Sequence, residues 1–131
     1  MSIIYIIGKY TDTNLVDEKR NMIKAVKAGV KLAVTGNTII CPHTNFIGHK
    51  EVMNYDNVIR QCLKLIEISE QVYVLNNWET SKGSKIEIEH AKKLGKKIIW
   101  QPKNWRQNFQ DTEMSIISFV LSSKTWELKG D

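Results

Sequence analysis

The sequence has little that would anchor, export or cross-link the chain. No apolar run approaches the roughly 18 residues of a membrane helix. The first ten residues, MSIIYIIGKY, lack the basic start and the small-residue cleavage site of a secretory leader. The two cysteines, Cys41 and Cys62, show no metal-ligand spacing and are typical of reduced thiols. We therefore expect a cytoplasmic protein with no membrane segment, no metal site and no cofactor.

Signals of specialised binding are also sparse. The net charge of +5 suits an anionic substrate such as a nucleotide, but scattered lysines are equally typical of an ordinary solvated surface. No basic stripe is interleaved with aromatic residues, so no nucleic-acid partner is expected. The segment SKGSK lacks the spacing of a phosphate-binding P-loop. Because there is no repeat, low-complexity tract or linker, residues 1–131 are interpreted as a single domain.

The chain does contain an alternation of strand and helix patterns. Short apolar runs predict strands at residues 3–8, 71–76 and 96–100, and residues 36–43 predict a turn followed by a second short strand that Pro42 ends. Apolar residues at three- and four-residue spacing predict helices at residues 17–34, 54–69 and 83–94, the last closed by Gly95. A polar loop is predicted at residues 43–53, and a further helix and a short strand at residues 112–121 and 125–128.

Strands that alternate with helices predict a parallel sheet covered on both faces. The fold class is therefore α/β, a Rossmann- or flavodoxin-like three-layer sandwich with a mostly parallel sheet of four or five strands. In such sheets ligands bind beyond the carboxyl ends of the strands. The crevice is accordingly expected in the loops after Ile7, Ile40 and Leu75.

The helix predicted at residues 83–94 carries one glutamate on its apolar side. At about 100° per residue, Glu87 falls on the same side as Ala91, where an unpaired carboxylate is costly. Glu89 lies on the opposite, lysine-rich side and is expected to pair with Lys85 and Lys93. The nearby helix N-terminus is expected to favour the ionised form of Glu87.

Two interpretations of Glu87 follow from this pattern alone. Glu87 is either a carboxylate placed at the mouth of the crevice for function, or a capping side chain that reaches back toward Ser81 or Ser84.

Three segments resemble the nucleoside 2-deoxyribosyltransferase-like superfamily, especially its small phage and bacterial branch. They are IIYIIGKYTD, GNTIICPHTN and YVLNNWETSKGSKIEIEHAKKLGKKII, which together span most of residues 1–100. The resemblance implies that Glu87, four residues after Gly83, is the nucleophile. In that family the glutamate attacks the anomeric carbon of a deoxyribose, releases the base and forms a glycosyl-enzyme that water or a second base resolves. A nucleophilic carboxylate must be ionised, positioned and shielded, which suits the place of Glu87.

The resemblance also implies a set of substrate-binding residues. The first strand ends in Gly8-Lys9-Tyr10, where the family usually has Gly-Pro-Tyr. The full predicted set is Gly8, Tyr10, His43, Asn45, Asn77, Trp78, Ser81, Gly83 and Ser84.

Several of these residues have an alternative interpretation from their position alone. Tyr10 and Trp78 either contact substrate or pack on the surface. His43 either contacts substrate and helps to protonate the leaving base, or makes its hydrogen bonds to backbone atoms of the loop. The backbone N–H groups at Gly83 and Ser84 open a helix and could hold a phosphate.

One departure from the family pattern concerns the helix before the third strand. Characterised members place an aspartate there, and Cys62 occupies that position unless a register shift brings Asp56 into it. The aspartate common just before the third strand is replaced by Glu70.

Two functions are therefore weighed. The first is an N-glycosidase or deoxyribosyltransferase acting on a nucleoside or a nucleoside 5′-monophosphate. The second is a nucleotide-binding or sensing protein on the same fold that has lost turnover. The resemblance further implies a homo-oligomer in which a neighbouring copy closes the pocket.

Overall fold

The computed structural model describes residues 1–46 and 53–104. Its strands are β1 (Ile3–Ile7), β2 (Thr38–Ile40), β3 (Gln71–Val74) and β4 (Lys97–Trp100). Its α-helices are α1 (Leu15–Val34), α2 (Pro42–Asn45), α3 (Tyr55–Ile68) and α4 (Lys82–Lys93), with a 3-10 turn at Trp78–Thr80. The four predicted strands and three predicted long helices are all present, which confirms the sequence interpretation within these residues.

The four strands form one parallel sheet in the order β2-β1-β3-β4. Tyr5 pairs with Val72, and Val72 pairs with Ile98, so these three side chains share one face. This face packs against buried residues of α3 and α4, including Ile66 and Ile88. The opposite face packs against α1. Helices on both sides of a parallel sheet make the predicted α/β three-layer sandwich.

Local chemistry explains where the helices begin and end. Asn14, Asn54 and Ser81 are the N-cap residues of α1, α3 and α4, and each side chain accepts a hydrogen bond from a backbone N–H of the first turn. Beyond the end of α4, Gly95 adopts a φ of +69°, the left-handed conformation that glycine tolerates best. The predicted C-terminal role of Gly95 is thus confirmed.

Four sequence predictions need correction or lie outside the described residues. The polar loop predicted at residues 43–53 begins instead as the short helix α2, because Pro42 suits a first helical turn. Helix α1 starts two residues earlier than predicted, since Asn14 caps it. The predicted tail helix at residues 112–121 and strand at residues 125–128 lie outside the described part of the chain.

Within residues 1–46 and 53–104, no helix combines the length and apolar character needed to cross a membrane.

Two isoleucines of α3 offer a matched test of the core. Ile66 is fully buried against the sheet, whereas Ile68 is 64% exposed at the end of the same helix. We expect Ile66→Ala to lower the free energy of unfolding by about 2–5 kcal/mol, because it removes packed methyl groups and leaves a cavity. Ile68→Ala should change it by less than about 0.5 kcal/mol. Urea denaturation measures both values, and equal losses would contradict this packing.

Candidate active site

A cavity of about 300 Å³ opens at the carboxyl end of β1. Four parts of the chain enclose it: the loop after β1, α2 with Phe46, the first half of α3, and the start of α4. This is the edge of the sheet at which the sequence predicted a crevice. The predicted site residues that line the cavity are Gly8, Tyr10, His43, Ser81, Gly83, Ser84 and Glu87.

Glu87 lies in the second turn of α4 and is only 6% exposed. The hydroxyl of Tyr5, in the middle of β1, donates a short hydrogen bond to its Oε2 atom. Burial raises the pKa of Glu87 from 4.5 to about 8, and the hydrogen bond from Tyr5 offsets only part of that rise. The expected preference for an ionised carboxylate is therefore wrong at neutral pH, because loss of hydration outweighs the helix N-terminus.

The capping interpretation of Glu87 is also wrong. Ser81 caps α4, and its hydroxyl accepts a hydrogen bond of 3.1 Å from the backbone N–H of Ser84. Ser84 holds the third position after the cap, the one from which a capping glutamate would reach back. Glu87 lies about one helical turn further on and accepts its hydrogen bond from Tyr5 on β1 instead.

Sequence reasoning missed Tyr5 as a functional candidate. Its side chain is fully buried, its hydroxyl donates to Glu87, and it packs in the same core cluster as Cys62. Burial and the charge of Glu87 hold the pKa of Tyr5 well above its usual value. One signal was available: a tyrosine in the run IIYII must find a partner for its hydroxyl when the strand is buried on both faces.

Helix α3 contributes two further groups near Glu87. Burial and the charge of Glu87 raise the pKa of the Cys62 thiol to about 12. The same two causes, burial first, raise the pKa of Tyr55. Asp56 is exposed in the first turn of α3, so the register shift that would bring it into the Cys62 position does not occur.

His43 is buried in the cavity wall and meets the loop after β1. Its Nε2 atom lies 3.0 Å from the carbonyl oxygen of Lys9. Burial lowers the pKa of His43 to about 4, so the ring is neutral at pH 7 and Nε2 carries the proton that it donates. The ring of Tyr10 lies beside it, with centroids 5.7 Å apart. The one ring proton of neutral His43 is held by the carbonyl oxygen of Lys9, so the ring is suited to contact with a ligand rather than to donating a proton to a leaving base.

Two glycines of the cavity lie in close contact with neighbouring side chains. A Cβ atom on Gly8 would lie 2.3 Å from Cδ1 of Leu75, closer than real contacts allow. A Cβ atom on Gly83 would lie 3.3 Å from the hydroxyl of Tyr55. Glycine at these positions lets the loop after β1 approach β3, and lets the first turn of α4 approach α3.

Three predicted binding residues do not line the cavity. Asn45 is exposed on α2. Asn77 accepts a hydrogen bond of 3.1 Å at Oδ1 from the backbone N–H of Lys9, so it holds the loop from outside. Trp78 packs against Trp100, with ring centroids 5.5 Å apart. The side chains of Asn77 and Trp78 contribute to loop geometry and packing, which the sequence pattern could not distinguish from substrate contact.

Two other acidic residues make contacts away from the cavity. Glu70 accepts a hydrogen bond of 3.0 Å from the backbone N–H of Ile3 and so joins β1 to the start of β3. Glu89 is exposed and forms an ion pair of 3.7 Å with Lys92, three residues on, rather than at the four-residue spacing expected.

The buried carboxyl makes stability depend on pH. Unfolded chains release the Glu87 proton near 4.5 and the folded protein near 8, so the unfolded state binds fewer protons between these values. The free energy of unfolding should therefore fall by about 3 kcal/mol more in the wild type than in Glu87→Gln from pH 5 to pH 8. Glu89→Gln, on the exposed side of α4, is the control. Parallel pH curves for wild type and Glu87→Gln would contradict the raised pKa.

Two solved structures resemble the fold. A 2-deoxyribosyltransferase from the bacterium Bacillus psychrosaccharolyticus superposes with a TM-score of 0.60 at 19% identity, covering 81% of this chain and 77% of that one. A 2-desoxiribosyltransferase from Leishmania mexicana superposes with a TM-score of 0.50 at 17% identity, covering 76% of this chain and 63% of that one. The resemblance to this superfamily is thereby confirmed at the level of the fold.

The sequence matches no curated protein. It does match one family model over residues 2–100, which is most of the chain and includes every residue that lines the cavity. The chain belongs to the family described as Domain of unknown function (DUF4406).

Proposed function

We propose that the protein cleaves the N-glycosidic bond of a nucleoside or nucleoside 5′-monophosphate, as a deoxyribosyltransferase or an N-glycosidase. The observation that carries the proposal is a buried carboxyl, Glu87, which lines a cavity and is held by Tyr5. Two solved structures with this fold are 2-deoxyribosyltransferases, which supports the same class of reaction here.

The reaction divides into two displacements at the anomeric carbon. In the first, an oxygen of ionised Glu87 forms a bond to that carbon while the bond to the base nitrogen breaks, and the base leaves with the electron pair and takes up a proton from solvent. In the second, water or another base attacks the same carbon and loses a proton to solvent, while the bond to Glu87 breaks and the carboxylate is restored. The hydrogen bond from Tyr5 fixes the carboxylate and favours its charged form.

The cavity offers separate surroundings for the parts of a nucleoside. Phe46, Val58 and Ile59 contribute apolar surface that suits a base. At the start of α4, Ser81 and Ser84 contribute hydroxyl groups that suit the sugar or a 5′-phosphate. The hydroxyl of Ser84 is buried and has no hydrogen-bond partner among the described residues. A substrate oxygen would satisfy it.

A second function is favoured by the protonation states. At neutral pH most Glu87 is protonated and His43 is neutral, so the site holds little nucleophile and no ready acid on that imidazole. A nucleotide-binding protein without turnover would be consistent with this. The ionisation state of Glu87 with a nucleotide bound distinguishes the two functions, because only the enzyme needs the ionised carboxylate.

The decisive experiment follows base release and base exchange. Purified protein is incubated with deoxy- and ribonucleosides and their 5′-monophosphates, with and without a second free base, and the products are separated by chromatography. We expect free base or exchanged nucleoside, and a loss of at least about a thousandfold in Glu87→Gln. Glu89→Gln should retain full activity. Tight nucleotide binding with no product in any reaction would favour the binding protein.

The pH dependence of turnover provides a further prediction. Because Glu87 must be ionised to attack, kcat/KM should rise roughly tenfold per unit below its pKa and level off near pH 8. Tyr5→Phe removes the hydrogen bond that favours the charged form, so its profile should shift to higher pH. Tyr73→Phe, on the opposite face of the sheet, is the control. A flat profile between pH 5 and pH 9 would contradict this role of Glu87.

A further inference from the structure

Tyr55 connects the two helices that border the cavity on the Glu87 side. It is the first residue of α3, and its side chain lines the cavity. Its hydroxyl reaches the first turn of α4, where a Cβ atom on Gly83 would lie 3.3 Å from the phenol oxygen. Because Tyr55 is 47% exposed and also lines the cavity, it lies at the cavity mouth.

The hydroxyl of Tyr55 has a proton to donate but no acceptor nearby. It forms no hydrogen bond with any residue of 1–46 or 53–104. Burial, and after it the charge of Glu87, raises the pKa of this phenol, so it stays protonated at neutral pH. Packing of the ring alone leaves this donor unused.

A second hydroxyl lies in the same part of the cavity wall. Ser84 is 1% exposed and lines the cavity, and its Oγ atom has no hydrogen-bond partner among the described residues. It follows Gly83 directly in the first turn of α4, where backbone N–H groups also lack helical partners. Tyr55 and Ser84 therefore place two hydroxyl donors from different helices at one end of the cavity.

The position of this end relative to Glu87 indicates which part of a nucleoside would meet it. Glu87 follows Ser84 by three residues on α4, so the two side chains lie on the same side of the helix, and both line the cavity. A sugar whose anomeric carbon lies at Glu87 would therefore lie beside the start of α4. Its hydroxyl groups, or a 5′-phosphate, supply the acceptor oxygens that these donors lack.

We propose that Tyr55 is a substrate-binding residue, whose hydroxyl donates a hydrogen bond to an oxygen on the sugar side of a nucleoside or nucleoside 5′-monophosphate. The choice of ligand rests on the proposed function. In this arrangement Gly83 has a specific part, because the lack of a side chain there leaves room for the phenol oxygen at the start of α4.

Ligand binding tests the role of the Tyr55 hydroxyl without turnover. Isothermal titration calorimetry is performed on the full-length Glu87→Gln protein with the common deoxynucleosides and their 5′-monophosphates. Tyr55→Phe, added to this protein, removes the hydroxyl and keeps the ring. Tyr73→Phe is the matched control, because Tyr73 packs on the α1 side of the sheet, away from the cavity.

We expect Tyr55→Phe to raise the Kd about three- to tenfold, as the loss of one hydrogen bond predicts. Tyr73→Phe should leave the Kd unchanged. A loss of affinity that includes the nucleosides would identify a sugar oxygen as the acceptor, and a loss restricted to the 5′-monophosphates would identify a phosphate oxygen.

Gly83→Ala tests the contact between the helices independently. At 3.3 Å the added methyl group would push the Tyr55 oxygen away by a few tenths of an ångström, which misaligns a hydrogen bond and should raise the Kd at least about twofold. Tyr55→Phe removes the oxygen that the methyl group meets. The double variant should therefore bind no more weakly than Tyr55→Phe alone, whereas additive losses would contradict the contact.

The proposal is overturned if Tyr55→Phe binds every ligand as tightly as its parent, or if Tyr73→Phe loses as much affinity as Tyr55→Phe. It is also overturned if none of the nucleosides or 5′-monophosphates binds. Binding by the wild type without release or exchange of a base would count against the proposed enzymatic function alone, because the calorimetry does not depend on turnover.

Discussion

The hydrogen bond from Tyr5 to Glu87 is the interaction on which the site depends. It joins β1, a strand that is paired on both sides, to the second turn of α4, and so fixes a helix-borne carboxyl to the interior of the sheet. Without a donor at that point, the carboxyl would be a buried polar group with no compensation for lost water. The fold thus supplies a position in which an acidic side chain is buried, oriented and still able to ionise.

The protonation state of Glu87 that favours folding differs from the one that a nucleophile requires. The protonated form of Glu87 suits the buried site, whereas the ionised form is the one that can act as a nucleophile. A pKa of about 8 places the change between them close to physiological pH, so neither form is eliminated. Strain and unfavourable burial concentrated at a few residues are common where a fold carries a reactive group.

The sequence predicted the fold well because strand and helix periods are local. It also placed Glu87 on the inner side of α4 from helical spacing alone. It could not identify Tyr5, because an aliphatic run with one tyrosine looks like any buried strand until the strand is packed against α4. The resemblance implied substrate contacts for Asn77 and Trp78, but it could not show that the side chain of Asn77 binds the backbone of Lys9 or that Trp78 packs against Trp100, because these contacts depend on the tertiary structure. The ionisation of Glu87 depended on the degree of burial, a tertiary property that overrode the helix N-terminus.

The backbone of Lys9 is held on both sides, by Asn77 at its N–H and by His43 at its carbonyl. A proline at this position, as in the Gly-Pro-Tyr of similar proteins, has no N–H and could not bond to Asn77. Hydrogen bonds from Asn77 and His43, which come from different parts of the chain, therefore restrict the backbone of this loop where a proline ring would otherwise do so. Because hydrogen bonds rather than a covalent ring supply the restraint, the order of the loop is a property of the folded protein and is lost when the sheet unfolds. A ligand that meets the loop in the folded state finds it already arranged, and less entropy is lost on binding.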